Sequence, residues 1–297
     1  MKVTFLGTSG SLPTKKRGQP AIHLQYKDES MLWDCGEGTQ RQLKHTDISP
    51  FKINSAYITH LHADHLIGLA GLIQSLQFLD RKEKLEIYGP KGIDRYVEFF
   101  KNWDHFNLEF EIDTIEIRKG RIKEREDYEV EAFPVKHSTP SYGFIFKEKP
   151  SINLNKEKLK ELDLLNHPKC SELKEKGEIE HKGNKIKLED VKEPEKEGRK
   201  VVYSGDTKPC KELERAAENS DLLIVDSTFG EDHKEKSIEY GHGEAKGMAE
   251  IAKKANVGKL VLTHFSNRYK DERELEKEAR EVFEESYAAE DFMEIEI

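Results

Sequence analysis

Thr59-His60-Leu61-His62-Ala63-Asp64-His65 puts four side chains able to ligate a metal within six residues. The string follows an apolar run with strand character and precedes one with helical spacing, so it is a loop at the C-terminal end of a strand. From such a loop His60 and His62 can converge on one ion while Asp64 and His65 turn towards a neighbouring one. Neutral imidazoles mixed with carboxylates suit zinc, with manganese or iron as alternatives. The competing reading is a chance histidine cluster on a surface loop, which is less compatible with four ligand types at a strand-to-helix junction. Three further candidates sit at equivalent strand ends: His137 after Tyr128–Val135, Asp206 in Ser204-Gly-Asp-Thr207 after Lys200–Ser204, and His264 after Lys259–Thr263. Together they can complete a dinuclear site.

The elements that must position these residues follow from the hydrophobic pattern. Short runs rich in β-branched and aromatic residues predict strands at Lys2–Gly7, Ala21–Tyr26, Ser30–Asp34, Ala56–Thr59 and Leu85–Tyr88. A second set is expected at Phe110–Ile117, Tyr128–Val135 and Tyr142–Phe146, then at Lys200–Ser204, Leu222–Asp226 and Lys259–Thr263. Apolar residues at helical spacing predict a helix over Leu66–Leu79, with others at Pro209–Asn219, Gly243–Ala255 and Asp271–Ala288. Two β-rich halves with intervening helices imply sheets sandwiched between helices, an α/β architecture in a single domain over 1–297.

The segment Lys147–Lys200 breaks this rhythm. It holds 15 Lys or Arg against 13 Asp or Glu, a local balance of +2 in a chain of net charge −9. With so few apolar residues, it is expected to be an inserted arm or a solvated linker without a core of its own.

The 297 residues are 35% hydrophobic and 36% charged, so apolar segments must be concentrated. No run approaches the roughly 18 apolar residues of a membrane span, and the chain opens directly on a strand pattern. Three scattered cysteines, Cys35, Cys170 and Cys210, form no CxxC pair. A disulfide scaffold is not expected, and a reducing cytoplasm is. The acidic balance argues against indiscriminate nucleic-acid binding while leaving room for a local basic patch.

With these motifs in place, the chain resembles the metallo-β-lactamase fold and, within it, the ribonuclease Z family. The resemblance rests on Phe5-Leu-Gly-Thr-Ser-Gly-Ser-Leu-Pro13, Trp33-Asp-Cys-Gly-Glu-Gly-Thr-Gln-Arg-Gln-Leu43, Thr59–His65, Tyr88-Gly-Pro-Lys-Gly-Ile93, His137-Ser-Thr-Pro-Ser-Tyr-Gly-Phe144, Ser204–Thr207 and Leu262-Thr-His-Phe-Ser-Asn-Arg-Tyr269. It implies a four-layer αββα sandwich with a protruding arm over about 147–200. It also implies two zinc ions, one on His60, His62 and His137 and one on Asp64, His65 and His264, with Asp206 bridging. Asp64 is then also the proton acceptor. Tyr240-Gly-His242 matches the position of the family's general acid, and Asp226 stands where the family usually has the Glu that orients it. The shorter carboxylate needs the two backbones nearer to each other, and Gly243-Glu244 replaces the usual Ser or Thr after the histidine.

The implied activity is endonucleolytic removal of the 3′ trailer from precursor tRNA, leaving a 3′-hydroxyl on the tRNA, by a cytoplasmic homodimer. Lys15, Lys16 and Arg17 in the basic Pro13–Pro20 loop, with Arg268, are candidate phosphate contacts. Cys35 is expected to be buried packing. The alternatives are a hydrolase of small phosphodiesters or thioesters on the same fold, or a non-catalytic RNA-binding relative. The intact set of seven ligands disfavours the second.

Overall fold

A computed structural model describes residues 1–102, 108–150, 152–194 and 197–297. Ser151, Glu195 and Lys196 of the expected arm lie outside the described residues. The chain divides into two compact units, one of residues 1–124, 130–146 and 200–297, the other of 125–129 and 147–199.

The larger unit is built on two sheets, each of seven strands among the described residues. The first runs in spatial order Glu294–Glu296, Lys2–Gly7, Ala21–Tyr26, Glu29–Trp33, Ser55–Tyr57, Leu85–Gly89, Ile112–Glu116. The second runs Ser286–Ala288, Lys259–Thr263, Leu222–Asp226, Lys200–Tyr203, Tyr142–Glu148, Tyr128–Pro134, Gly120–Glu124. The sheets meet through aromatic rings: Trp33 stacks on Tyr203 at 5.9 Å and 5°, Tyr57 meets Phe144 at 5.7 Å, and Tyr26 meets Phe146 at 5.1 Å.

Helices cover the outer faces. Leu69, Leu72, Ile73 and Leu76 of Gly68–Phe78, and Val97 of Ile93–Lys101, pack with Leu32, Ala56 and Ile87 of the first sheet. Met248 and Ile251 of Ala245–Lys254, with Leu275 of Arg273–Arg280, pack with Leu223, Leu260 and Leu262 of the second. Helix, sheet, sheet and helix make the four-layer αββα sandwich, the arrangement in which each amphipathic layer buries its apolar face.

Parallel neighbours in both sheets (Glu29–Trp33 through Ile112–Glu116, and Lys200–Tyr203 through Ser286–Ala288) bring successive C-terminal strand ends to one edge. The strand Glu294–Glu296 pairs antiparallel with Lys2–Gly7, Val3 opposite Ile295.

Three expectations are corrected. The helix expected over Leu66–Leu79 is two, Ala63–Leu66 and Gly68–Phe78. The last helix stops at Arg280, and Ser286–Ala288 is a strand parallel to Lys259–Thr263. The apolar spacing of Val282, Phe283 and Tyr287 imitates a continuing helix, but the open edge of the sheet claims the segment. The third concerns the arm, which has a small core of its own and forms most of the second compact unit. Leu159, Leu164, Leu173, Ile179, Ile186, Leu188 and Val191 are buried together; Leu164 lies between the first two helices, and the rest come from the helices Lys156–Glu161, Lys169–Lys176 and Leu188–Val191 and the hairpin Glu178–His181/Asn184–Lys187. Each piece supplies one or two of these residues, too sparse to register locally yet sufficient once the pieces close on each other.

Candidate metal centre

The loop between Ser55–Tyr57 and Ala63–Leu66 carries His60, His62, Asp64 and His65 to the edge where His137, Asp206 and His264 emerge from the second sheet. His62 Nδ1 lies 3.0 Å from His60 Nε2 and 3.3 Å from His137 Nε2, and Asp206 Oδ2 lies 3.8 and 4.0 Å from those Nε2 atoms of His60 and His137. Beside this group, His65 Nε2 and His264 Nε2 are 3.3 Å apart. Each stands 3.6 Å from Asp64 Oδ2, and Asp206 offers Oδ1 at 3.3 Å to His65 and Oδ2 at 3.2 Å to His264. Ligand atoms around a tetrahedral ion bound at ~2.0–2.1 Å are roughly 3.3 Å apart, and separations of 3.0–4.0 Å here let both groups close on a cation with small adjustments. Asp206 Oδ1 is buried and has no hydrogen-bond partner. Such an orphaned carboxylate oxygen is costly in a folded interior unless a cation meets it. The residues fit a divalent metal.

In four of the five histidines the nitrogen turned away from this centre is also held. His60 Nδ1 is 2.9 Å from Thr59 Oγ1, and His137 Nδ1 is 2.9 Å from the Gly241 carbonyl oxygen. His264 Nδ1 is 2.8 Å from Thr228 Oγ1, and His65 Nδ1 is 2.8 Å from Asp34 Oδ2. Partners of this kind fix tautomer and ring orientation. Asp34 also accepts hydrogen bonds from the Thr59 N–H and hydroxyl and from the Tyr203 hydroxyl, and is fully buried. The sequence reading quoted Asp34 inside a motif and gave it no role. Its place at the end of the expected strand Ser30–Asp34 was the available signal, as the position after Lys200–Ser204 was for Asp206.

Electrostatics split the histidines. Burial holds His60 well below its ordinary pKa, helped by the neighbouring His65, and burial next to His137 lowers His62 as well. These rings are neutral and ready to ligate. Burial also works to lower His264, but Asp206 and the hydrogen bonds of Asp226 and Asp64 outweigh it and lift the ring to about 10. His65 is raised likewise by Asp206 and Asp34 against its burial. In the absence of a cation, protons neutralise this carboxylate-rich half of the centre.

His242 stands beside it. Its Nδ1 is 2.9 Å from Asp226 Oδ2, while Asp226 Oδ1 accepts from the Thr228 N–H at 2.9 Å and hydroxyl at 2.7 Å. Burial pushes the His242 imidazole down, and Asp226 overrides that and raises it. The shorter Asp reaches the ring because the backbones are pressed together: a Cβ on Gly243 would fall 1.8 Å from the Asp226 carbonyl oxygen, so only glycine fits next to His242. Glu244 caps the following helix, accepting from the N–H groups of Lys246 at 3.0 Å and Gly247 at 3.2 Å.

A cavity of about 510 Å³ opens over the centre, lined by Asp64, His137, His242 and Arg268 among others. Lys15 and Lys16 are exposed on the Pro13–Pro20 loop. Arg17 is a correction: it is buried, ion-paired to Glu272 at 2.6 Å and donating to the Tyr269 carbonyl at 3.0 Å, so its guanidinium is committed to the fold. Cys35 is wholly buried, its thiol pushed up to about 12 by burial, and serves as packing. The loop itself is fastened by Asp291, which accepts from the Thr8 hydroxyl at 2.8 Å and from the Gly18 N–H and Gln42 amide at 2.7 Å each. Its Ser11 N–H donates to Asp64 Oδ2 at 2.9 Å.

Comparison with known proteins agrees with this geometry. The family model described as anti-Pycsar protein Apyc1 matches residues 1–165, and the beta-lactamase superfamily domain model matches 192–265. The chain is 42% identical to a protein named ribonuclease Z from Methanosarcina acetivorans, over 100% of this chain and 98% of that one. It is 41% identical to the ribonuclease Z of Methanothermobacter thermautotrophicus, over 100% and 97%. Among solved structures, the short form of human tRNase Z superposes with a TM-score of 0.72 at 28% identity, covering 100% of this chain and 99% of that one. A metallo-beta-lactamase fold protein from Bacillus subtilis, 21% identical, superposes at 0.70 over 99% and 98%, a likeness of fold.

Proposed function

Because the chain belongs to the ribonuclease Z family, we propose that its His and Asp cluster holds two zinc ions per chain and cuts precursor tRNA there. The protein is a tRNA 3′-processing endoribonuclease on a metallo-β-lactamase fold. His60, His62 and His137 would hold one ion and Asp64, His65 and His264 the other, with Asp206 beside both sets. Bound there, the ions would lower the pKa of a water and offset the charge of the phosphoryl oxygens. Asp64 takes the proton of the attacking water, its carboxylate aligned by the Ser11 N–H. His242, with Nδ1 held by Asp226, delivers a proton from Nε2 to the departing ribose 3′-oxygen, so the tRNA ends in a 3′-hydroxyl and the trailer leaves with the phosphate. The observation that supports this reading is the convergence of His60, His62, Asp64, His65, His137, Asp206 and His264 from four separate strand ends, with neighbouring polar atoms 3.0–4.0 Å apart.

The test is a 3′-extended precursor tRNA with metal analysis of the same sample. Two zinc ions per chain and cleavage to a 3′-hydroxyl are expected, with manganese or iron as the alternative occupants. Asp64→Ala removes a ligand and the proton acceptor together and should cost on the order of 10³ or more in turnover. Near-normal turnover by a folded Asp64→Ala chain overturns the mechanism.

Lys15, Lys16 and Arg268 are the proposed phosphate contacts around the centre. The segment Lys147–Lys200 is proposed as a tRNA-gripping arm, supported by its local balance of +2. A homodimer is proposed as the assembly, supported by exposed Ile67, Tyr96 and Phe99 around one apolar cleft. Light scattering reads that state directly. No helix among the described residues is long and apolar enough to cross a membrane. All three cysteines are free, which supports the cytoplasm as the compartment.

A further inference from the structure

Tyr240 ends the helix Lys234–Tyr240, and its ring is half exposed (50%) while lining the cavity over the metal centre. The turn behind it is rigid. Gly241 sits at φ 74° with its carbonyl accepting from His137 Nδ1, and a Cβ there would come 3.2 Å from the His137 Cα. His242 donates its N–H to the Ser237 carbonyl at 2.9 Å, and the Ser237 hydroxyl returns a bond to the His242 carbonyl at 2.9 Å. Tyr240 is therefore held in fixed relation both to a metal ligand and to the group that faces the departing oxygen.

Phe229, buried, lies at the centre of this wall. Its ring centroid is 6.4 Å from that of Tyr240 and 6.2 Å from that of His242, and the Arg268 guanidinium carbon stands 5.0 Å over its face. Leu12, 60% exposed, lines the same cavity, its carbonyl pinned by the Ser9 hydroxyl at 2.7 Å. Two large apolar side chains left in water, on rigid backbone, beside a cation and a phosphate-processing centre, ask for an occupant with flat apolar faces within one nucleotide of a phosphodiester.

We propose that Tyr240, backed by Phe229 and Arg268 and joined by Leu12, is a stacking subsite for the base of the unpaired nucleotide whose 3′-oxygen departs. The choice of side rests on the reading of His242 as the proton donor, since Tyr240 is two residues from it and Phe229 packs between them. Base stacking on an aromatic side chain is sequence-tolerant and worth ~1–3 kcal/mol by alanine substitution, which converts to roughly 5- to 150-fold in kcat/KM.

The experiment couples protein and substrate changes. Precursor tRNAs are made with an abasic ribose immediately 5′ of the scissile phosphate, or immediately 3′ of it, and cleaved by wild type, Tyr240→Ala and Tyr240→Phe. The 5′ abasic site should cost the wild type roughly 5- to 150-fold. Tyr240→Ala should lose the same factor on the normal substrate and nothing more on the 5′ abasic one, while Tyr240→Phe, which keeps the ring, restores the rate. Losses that multiply independently, or no loss for Tyr240→Ala, overturn the subsite. Coupling to the 3′ abasic site instead overturns the assigned side, and the role of His242 with it. If no coupling appears on either side while His242→Ala still shows a leaving-group-dependent defect, the subsite alone fails and the mechanism stands.

Discussion

Asp34→Asn changes one atom and is expected to disable one metal ion. Asp34 Oδ2 accepts from His65 Nδ1 at 2.8 Å and from the Tyr203 hydroxyl at 2.8 Å, while Oδ1 accepts from the Thr59 N–H at 2.8 Å. The Tyr203 hydroxyl can rotate and accept from an amide instead. The Thr59 N–H and the His65 ring cannot. Whichever way the Asn turns, its NH₂ faces one of these two fixed donors. With the oxygen kept on Thr59, His65 must move its proton from Nδ1 to Nε2, the nitrogen that points at Asp64, Asp206 and His264, and a protonated Nε2 cannot ligate. With the amide reversed, the buried Thr59 N–H loses its partner. Either state forfeits one hydrogen bond to a charged group, worth ~1.5–3 kcal/mol, in line with the 10–100-fold loss of metal affinity typical of such outer partners.

Chelator competition followed by metal analysis should show one of two ions weakened by about that factor. Activity should be recoverable by excess zinc. Unchanged affinity, or equal loss of both ions, refutes the reasoning, because His60, His62 and His137 do not touch Asp34.

His242→Ala should lower kcat for precursor tRNA by roughly 10²–10⁴ without removing metal, and the defect should shrink on a nitrophenyl phosphodiester, whose leaving group needs no proton; equal defects on both would assign His242 to binding or folding. Replacing Pro150–Glu197 with a short Gly/Ser linker should spare hydrolysis of a small phosphodiester while kcat/KM for precursor tRNA falls mainly through KM, and the wild-type preference for tRNA should weaken as salt rises; undiminished tRNA processing by the shortened chain would make the unit a spacer. In the metal-free protein the raised His264 stabilises the fold fully below its ordinary pKa of about 6.5, and that contribution is lost as pH climbs through about 10. Metal needs the same ring neutral, so zinc affinity should rise over that window by roughly tenfold per pH unit for each proton released; calorimetry in buffers of different ionisation enthalpy counts the protons, and a pH-independent affinity would refute the competition.

The proposed metal ligands stand out in the sequence because each group follows a strand that the apolar pattern marks: Ser55–Tyr57, Tyr128–Pro134, Lys200–Tyr203 and Lys259–Thr263 form within a residue or two of the expected bounds. What escaped depends on partners distant along the chain. Arg17 reads as a free cation in a basic loop, and only folding brings Glu272 to it. Asp34 gains its meaning from His65 and Tyr203 on two other elements. The arm's core draws single leucines and isoleucines from five short pieces, so no local window is apolar enough to reveal it. The strand Ser286–Ala288 has no signal of its own beyond the sheet edge that recruits it.

Asp291 ties the loop of residues 8–18 to a segment more than 270 residues further along the chain, and Ile295 pairs beside Val3. On the ribosome, the stretch that presents Ser11 to Asp64 therefore stays unanchored until residues near 291 have emerged. His264, a ligand of the second ion, also arrives late. A nascent or prematurely terminated chain can fold helices and strands of its first half yet lacks both the anchored loop and the complete ligand set. The loop beside Asp64 and the proposed ligand set are thus completed only by contacts made far along the chain.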